Sequence, residues 1–200
     1  MTSVETVDVH KFGSLQYSEA QMRVLMAALD LFAEHGVNGT SLQMIADDIG
    51  VTKAAVYHQF RTKEAIVVGA VEIELGNLEG ALEAAEADAG GPEAVETLLN
   101  QVIKLAIGRR RLVGTLQHDP VIIRLLGDHQ PFQQFMQRLF TVLLGGKFDA
   151  QSRVRAAMIA AAIGGAVTHP LVTDLDDETL RSELLGLTQR LLGRADSSMD

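Results

Sequence analysis

The chain contains no cysteine and no tryptophan among its 200 residues. Disulfides, thiolate metal sites and cysteine nucleophiles are therefore excluded, which suits a reducing, cytoplasmic setting. Aromatic residues make up only 4%, so a core has to be built from Leu, Val, Ile and Ala. Long apolar runs are also missing. Residues 1–17 are mixed and polar and do not read as a secretory leader. The most apolar stretch, residues 156–167, is well short of the ~20 residues that span a bilayer, and it is rich in Ala and Gly. No membrane association is expected. Positive charge is scarce as well: the formal net charge is −9, which argues against a basic nucleic-acid coat protein. A site-specific DNA reader needs only a locally positive face. What is plentiful is aliphatic residue, 47% hydrophobic overall, enough to fold one large unit or a small unit joined to a larger one.

Helical periodicity dominates, and no run alternates as a strand would. Ser18 and Gln21 have the form of a capping box, opening a helix that carries Leu25, Ala28 and Phe32 and stops at Gly36. Leu42, Ile45, Ala46 and Ile49 share one face of a short second helix closed by Gly50. A third short helix follows Thr52, with Val56 and Phe60 turned inward. Thr62 caps a long helix bearing Val67, Val71, Leu75, Leu78 and Leu82, which fades at residues 88–91. Pro92 begins the next helix, whose face is Val95, Leu98, Leu99, Val102 and Ala106. Residues 120–126 and 131–144 form two more, the first capped by Asp119. Residues 153–167 make a small-residue helix ended by His169-Pro170, and Asp176-Asp177 caps a last one with Leu180, Leu184, Leu187 and Leu191. The expected fold is all-α, with about nine helices. The expected divisions are a flexible tail 1–17, a head 18–78, a body 79–194 and a tail 195–200.

Two short helices joined through a tight turn at Gly50, residues 41–60, describe a helix-turn-helix. Gly50 provides the positive φ of the reversal and Val51 locks the pair. On the second helix Ala54 and Ala55 are small enough to approach base edges, and Lys53 stands in its first turn. Thr40 and Ser41 precede the first helix, where a hydroxyl and free N–H groups suit a phosphate. Tyr57 and His58 lie at the far end of the second, with Arg61 and Lys63 beyond. Residues 51–63 hold Lys53, Arg61 and Lys63 and no carboxylate, so this segment is basic although the chain is not.

The run ALDLFAEHG (28–36), then GTSL (39–42), Ile45-Ala46, GVTK (50–53), VYHQF (56–60) and KEAI (63–66) resembles the N-terminal domain of TetR family repressors, in order and spacing. The resemblance covers residue 18 to about residue 76. It implies a three-helix DNA-binding head on a ligand-binding and dimerisation body, acting on palindromic double-stranded operator DNA as a homodimer released by a small effector. By the same resemblance Thr40, Tyr57 and Lys63 match phosphate-contacting positions, and Gln43, Lys53, Ala54 and Ala55 match base-contacting ones. Ser41, Thr52 and His58 complete the expected DNA face. Ala54 and Ala55 depart from the residues common there, which shifts the burden of reading to Gln43, Lys53, methyl contacts and DNA shape.

Past residue 80 the sequence constrains architecture more than ligand. The last two helices suit a four-helix dimer interface through Ala157, Ala161, Gly164, Leu180, Leu184, Leu187 and Leu191, with a single-chain core as the alternative. Leu105, Leu116, Phe132, Phe135, Met136, Phe140 and Met158 are candidate walls of an apolar pocket, with His118 and His169 as polar anchors; the effector is expected to be apolar or amphipathic. Arg109-Arg110-Arg111 reads as solvated cations after a helix C-terminus, or less simply as an anion site. There is no Gly-rich phosphate loop, nucleophile elbow or H-E-x-x-H pair, so an enzyme is not expected and no cofactor is implied. His118, Asp119, Asp128 and His129 lie at opposite ends of one short helix and do not form a metal site. A DNA-architectural protein without an effector is the remaining rival.

Overall fold

The computed structural model describes residues 17–146 and 149–193. Among these residues it is all-α, with ten helices: α1 (Glu19–Gly39), α2 (Leu42–Asp48), α3 (Lys53–Gln59), α4 (Lys63–Ala87), α5 (Pro92–Gly108), α6 (Arg110–His118), α7 (Pro120–Asp128), α8 (Gln130–Leu143), α9 (Ala150–Thr168) and α10 (Asp177–Leu191). A 3-10 turn, Pro170–Val172, joins the last two.

Local chemistry accounts for most of the boundaries. Ser18 and Gln21 form the reciprocal capping box of α1. The hydroxyls of Ser41, Thr52 and Thr62 each accept a backbone N–H in the first turn of α2, α3 and α4, and Asp119 and Asp176 do the same for α7 and α10. Gly36, at φ 71°, breaks α1 before a final turn that runs to Gly39. The helix that periodicity did not predict is α6. Arg110 and Arg111 therefore open a helix, while Arg109 is the C-cap of α5. Packing against α1 and α9 holds α6 in place, with Leu112 buried.

The apolar residues form two cores. One unites α1, α2, α3 and the start of α4 around Leu25, Phe32, Ile45, Val56 and Ile66, and it extends to Leu112, Ile122 and Leu126 of α6 and α7. The other gathers Leu82, Leu98, Leu99, Ile103, Phe135 and Ile159 with Leu180 and Leu184. Helix α4 belongs to both: Ile66–Val71 lies in the first and Leu78–Ala85 in the second, with Leu75 packed against each. Tyr17, expected in a flexible tail, is half-buried against the first core, its ring 6.2 Å from that of Phe60.

Candidate DNA-binding face and body

Helices α2 and α3 pack through Ile45, Ala46 and Val56, all buried. Gly50, at φ 69°, turns the chain between them. The Val51 N–H reaches the Ala46 carbonyl at 2.9 Å, and the Val51 side chain packs against the core. Because Val56 points inward, the opposite face of α3 is left to solvent: Lys53, Ala54, Ala55, Tyr57 and His58 are all exposed, as are Ser41, Gln43 and Thr52 beside it. The Arg61 guanidinium stacks 5.5 Å from the centre of the Tyr57 ring, placing a cation at the end of this face.

Three of the sequence-nominated groups are already engaged. Thr40 is buried, and its hydroxyl lies 2.8 Å from the Gly36 carbonyl and 3.1 Å from that of Leu31. It holds the α1–α2 corner, and its hydroxyl is not available to a phosphate. The Lys63 ammonium donates to the carbonyls of Val37 at 2.8 Å and Thr40 at 3.2 Å, tying the start of α4 to the same corner. Gln43 donates to Asp47 at 2.7 Å within α2.

Sequence reasoning missed a set of buried carboxylates on α4. Glu72, Glu74 and Glu79 are each under a tenth exposed, and each has a partner distant in sequence. Glu72 accepts from the Tyr17 hydroxyl and lies 3.5 Å from His129. Glu74 meets Arg109 at 3.0 Å. Glu79 shares Arg138 with Glu86. Burial, followed by the Glu72 hydrogen bond, raises the Tyr17 phenol above its ordinary pKa. The Glu86 hydrogen bonds are the largest influence raising the Arg138 guanidinium. Asn38 meanwhile donates to Asp119 at 2.7 Å, linking the α1–α2 corner to α7.

In the body, Phe135 and Phe140 are buried, and Leu105, Phe132 and Met136 pack half-buried against the second core. Met158, nominated for a pocket wall, is instead 61% exposed on the outer face of α9. The side chain of Leu116 lies outside the described residues. His118 and His169 are exposed and satisfy local backbone: His118 Nδ1 is 2.7 Å from the Gly114 carbonyl, and His169 Nδ1 accepts the Leu171 N–H. Arg110 pairs with Asp177, so it is neither simply solvated nor a free anion receptor. The nominated dimer face also divides. Leu180 and Leu184 are 2% and 7% exposed and belong to the chain's own core, and Gly164 is buried against Gln117. Leu187 and Leu191 remain 49% exposed, and Ala157 and Ala161 are exposed.

Residues 24–70 match the family model for bacterial regulatory proteins of the tetR family. An HTH-type transcriptional regulator of Mycobacterium bovis, Mb3439c, is 34% identical over 172 residues, 80% of this chain and 81% of that protein. The chain belongs to the TetR family. Another relative matches less completely: the HTH-type transcriptional regulator YerO of Bacillus subtilis is 32% identical over 85 residues, 42% of this chain but only 29% of that protein. The fold is shared with the transcriptional regulator FadR of Bacillus subtilis, solved in complex with stearoyl-CoA, at TM-score 0.60 and 20% identity, covering 88% of this chain and 99% of that one. This TetR family chain is a transcriptional regulator with a helix-turn-helix DNA-binding head. Among its described residues, no helix is long and apolar enough to cross a membrane.

Proposed function

We propose that this regulator is a cytoplasmic repressor, without catalytic activity of its own, that binds a palindromic operator as a homodimer and is released by a small apolar or amphipathic effector. The observation that carries the DNA reading is the bare outer face of α3. Lys53 stands at its first turn, Ala54 and Ala55 allow close approach to base edges, and Tyr57, His58 and Arg61 follow toward the backbone. Ser41 and Thr52 sit at helix starts and join this face. Thr40 and Lys63 act on this face indirectly, by stabilising the α1–α2 corner that carries it.

The exposed row Val154, Ala157, Met158 and Ala161 on α9, with Leu187 and Leu191 on α10, supports the dimer. Single exposed apolar residues are ordinary, but a contiguous row on two adjacent helices suits a helix-to-helix interface. Such a dimer presents two α3 helices to half-sites about 34–36 Å apart. The apolar α5–α8 region, with Leu105, Phe132 and Met136 half-buried, supports an apolar effector, as does the acyl-CoA complex of FadR. Helix α4 offers the route of coupling, because it is built into both cores.

Selection from a random DNA pool, followed by fluorescence anisotropy, tests the reading. The selected site should have two-fold symmetry, and binding should weaken steeply with salt. Lys53→Ala should reduce discrimination between sites by about 1–3 kcal/mol. Equal affinity for the selected site and its scrambled version would sink the repressor reading.

A further inference from the structure

The DNA-binding head is poor in positive charge. Residues 18–78 hold four Lys and Arg side chains: Arg23, Lys53, Arg61 and Lys63. Two of these are turned to the protein's own backbone. Arg23 Nη2 donates to the Ile49 carbonyl at 3.0 Å, and the Lys63 ammonium is tied to the carbonyls of Val37 and Thr40. Lys53 and Arg61 are exposed, and neither side chain is in an ion pair or a hydrogen bond among the described residues.

Helix α3 separates these two cations. Its 7 residues rise about 10 Å, and the major groove is ~12 Å wide. With Lys53 in the first turn at the base edges, a cation just past the last turn stands at the rim of the groove, beside the phosphates. Arg61 occupies that place, immediately after the C-cap Phe60. Its guanidinium lies 5.5 Å from the centre of the Tyr57 ring, close enough for a cation–π contact. The ring restrains a long side chain that would otherwise sample many rotamers. It leaves the guanidinium N–H groups unbonded, and their planar fork suits a phosphate.

We propose that Arg61 is the phosphate anchor of each recognition helix and that Tyr57 positions it, acting through its ring and not through its hydroxyl. The ligand is one backbone phosphate of the operator, met by guanidinium N–H groups. Family resemblance gives the phosphate contact to Tyr57 itself; here that residue is 48% exposed with an arginine laid against its ring. This role presupposes the DNA-binding reading and divides its labour. Lys53 reads bases, Arg61 adds affinity without sequence preference, and Lys63 supports the fold of the head.

The test is fluorescence anisotropy of the full-length protein on a selected two-fold site and on its scrambled version, over a series of salt concentrations. Arg61→Gln should weaken binding to both DNAs by the same factor, about tenfold, and lower the slope of log K against log salt by about one per head. Arg61→Lys, which keeps the charge but not the planar fork, should restore the slope while binding more weakly than the parent. Tyr57→Leu should weaken binding about threefold more than Tyr57→Phe, which keeps the ring. Tyr57→Leu combined with Arg61→Gln should cost less than the product of the two single losses, because both act on one contact. Both side chains are exposed, so the variants should melt close to the parent. An unchanged salt slope in Arg61→Gln, or equal losses from Tyr57→Phe and Tyr57→Leu, overturns the proposal. A reduced slope in Arg61→Gln, with no preference of the parent for the selected site, supports the anchor and overturns the repressor reading. A selected site still preferred, with the slope unchanged, overturns the anchor and leaves the repressor reading standing.

Discussion

Replacing Lys63 with methionine separates two roles that the sequence alone merges. Its position near the DNA face suggests a phosphate contact, yet its ammonium donates to two carbonyls, Val37 O and Thr40 O. Hydrogen bonds from a charged donor contribute about 1.5–3 kcal/mol each when buried. Lys63 is half-buried and one ammonium serves both acceptors, so removing both bonds should cost about 2 kcal/mol; methionine retains most of the packing of the aliphatic stem. For a chain of this length that corresponds to a fall of roughly 4–8 °C in melting temperature, read by circular dichroism. Operator affinity should drop because the α1–α2 corner loosens, and the drop should be similar for every sequence. The deciding readout is the dependence of log K on log salt. If Lys63 binds a phosphate, the substitution lowers the slope by about one unit; if it is a strut, the slope is unchanged. A slope reduced by one with an unaltered melting temperature would refute the strut.

Two glycines of α4 should respond in opposite directions. A Cβ on Gly69 would lie 2.9 Å from Leu25 Cδ2 and 3.0 Å from the Tyr17 hydroxyl, whereas one on Gly80 meets nothing within 4 Å. Gly69→Ala should cost about 1–2 kcal/mol after its gain in helix propensity, and Gly80→Ala should stabilise by up to about 1 kcal/mol; urea titrations that shift both midpoints the same way contradict the packing described. Leu187→Glu with Leu191→Glu should yield a folded monomer in sedimentation, whereas Leu184→Glu should unfold the body; an intact dimer in the double variant moves the interface elsewhere. Because the Tyr17 proton is held more tightly in the folded chain, stability falls as pH rises above the ordinary phenol value near 10, where only the unfolded chain releases it. Tyr17→Phe should flatten that alkaline decline and remove a late phase from the tyrosinate absorbance titration; a titration unchanged by the substitution shows that the phenol is not perturbed.

The features legible in the sequence are those written within a few residues. Caps at Ser18, Ser41, Thr52, Thr62, Asp119 and Asp176 join a side chain to an N–H two or three positions on, and the helix-turn-helix is a local pattern of the same kind. Helix α6 was not legible because Arg110 to His118 has no capping residue and carries Gly114 in its middle; its helicity comes from neighbours far along the chain. The leucine stripe of α10 marked an apolar face but not its division. Leu180 and Leu184 are covered by α5 and α9 of the same chain, while Leu187 and Leu191 pass beyond them. Periodicity gives the direction of a face, and only packing says what covers it.

The carboxylates of α4 were the least legible, and they bear most directly on coupling. Glutamate on a helix ordinarily reads as solvent-facing, and nothing within a turn of Glu72 or Glu79 announces Tyr17, His129 or Arg138. Their burial means that α4 is fixed by ion pairs and hydrogen bonds as well as by oil-like packing. These contacts reach Tyr17 against Phe60 on the head side and α8 on the body side. Apolar contacts tolerate sliding, whereas a buried carboxylate separated from its partner costs several kcal/mol. A shift of α8 must therefore carry α4 with it or strand Glu72 and Glu79. Ile66 and Val67 of α4 are packed into the same core as Val56 of α3, so one helix joins the contacts made by α8 to the core behind the DNA-binding face.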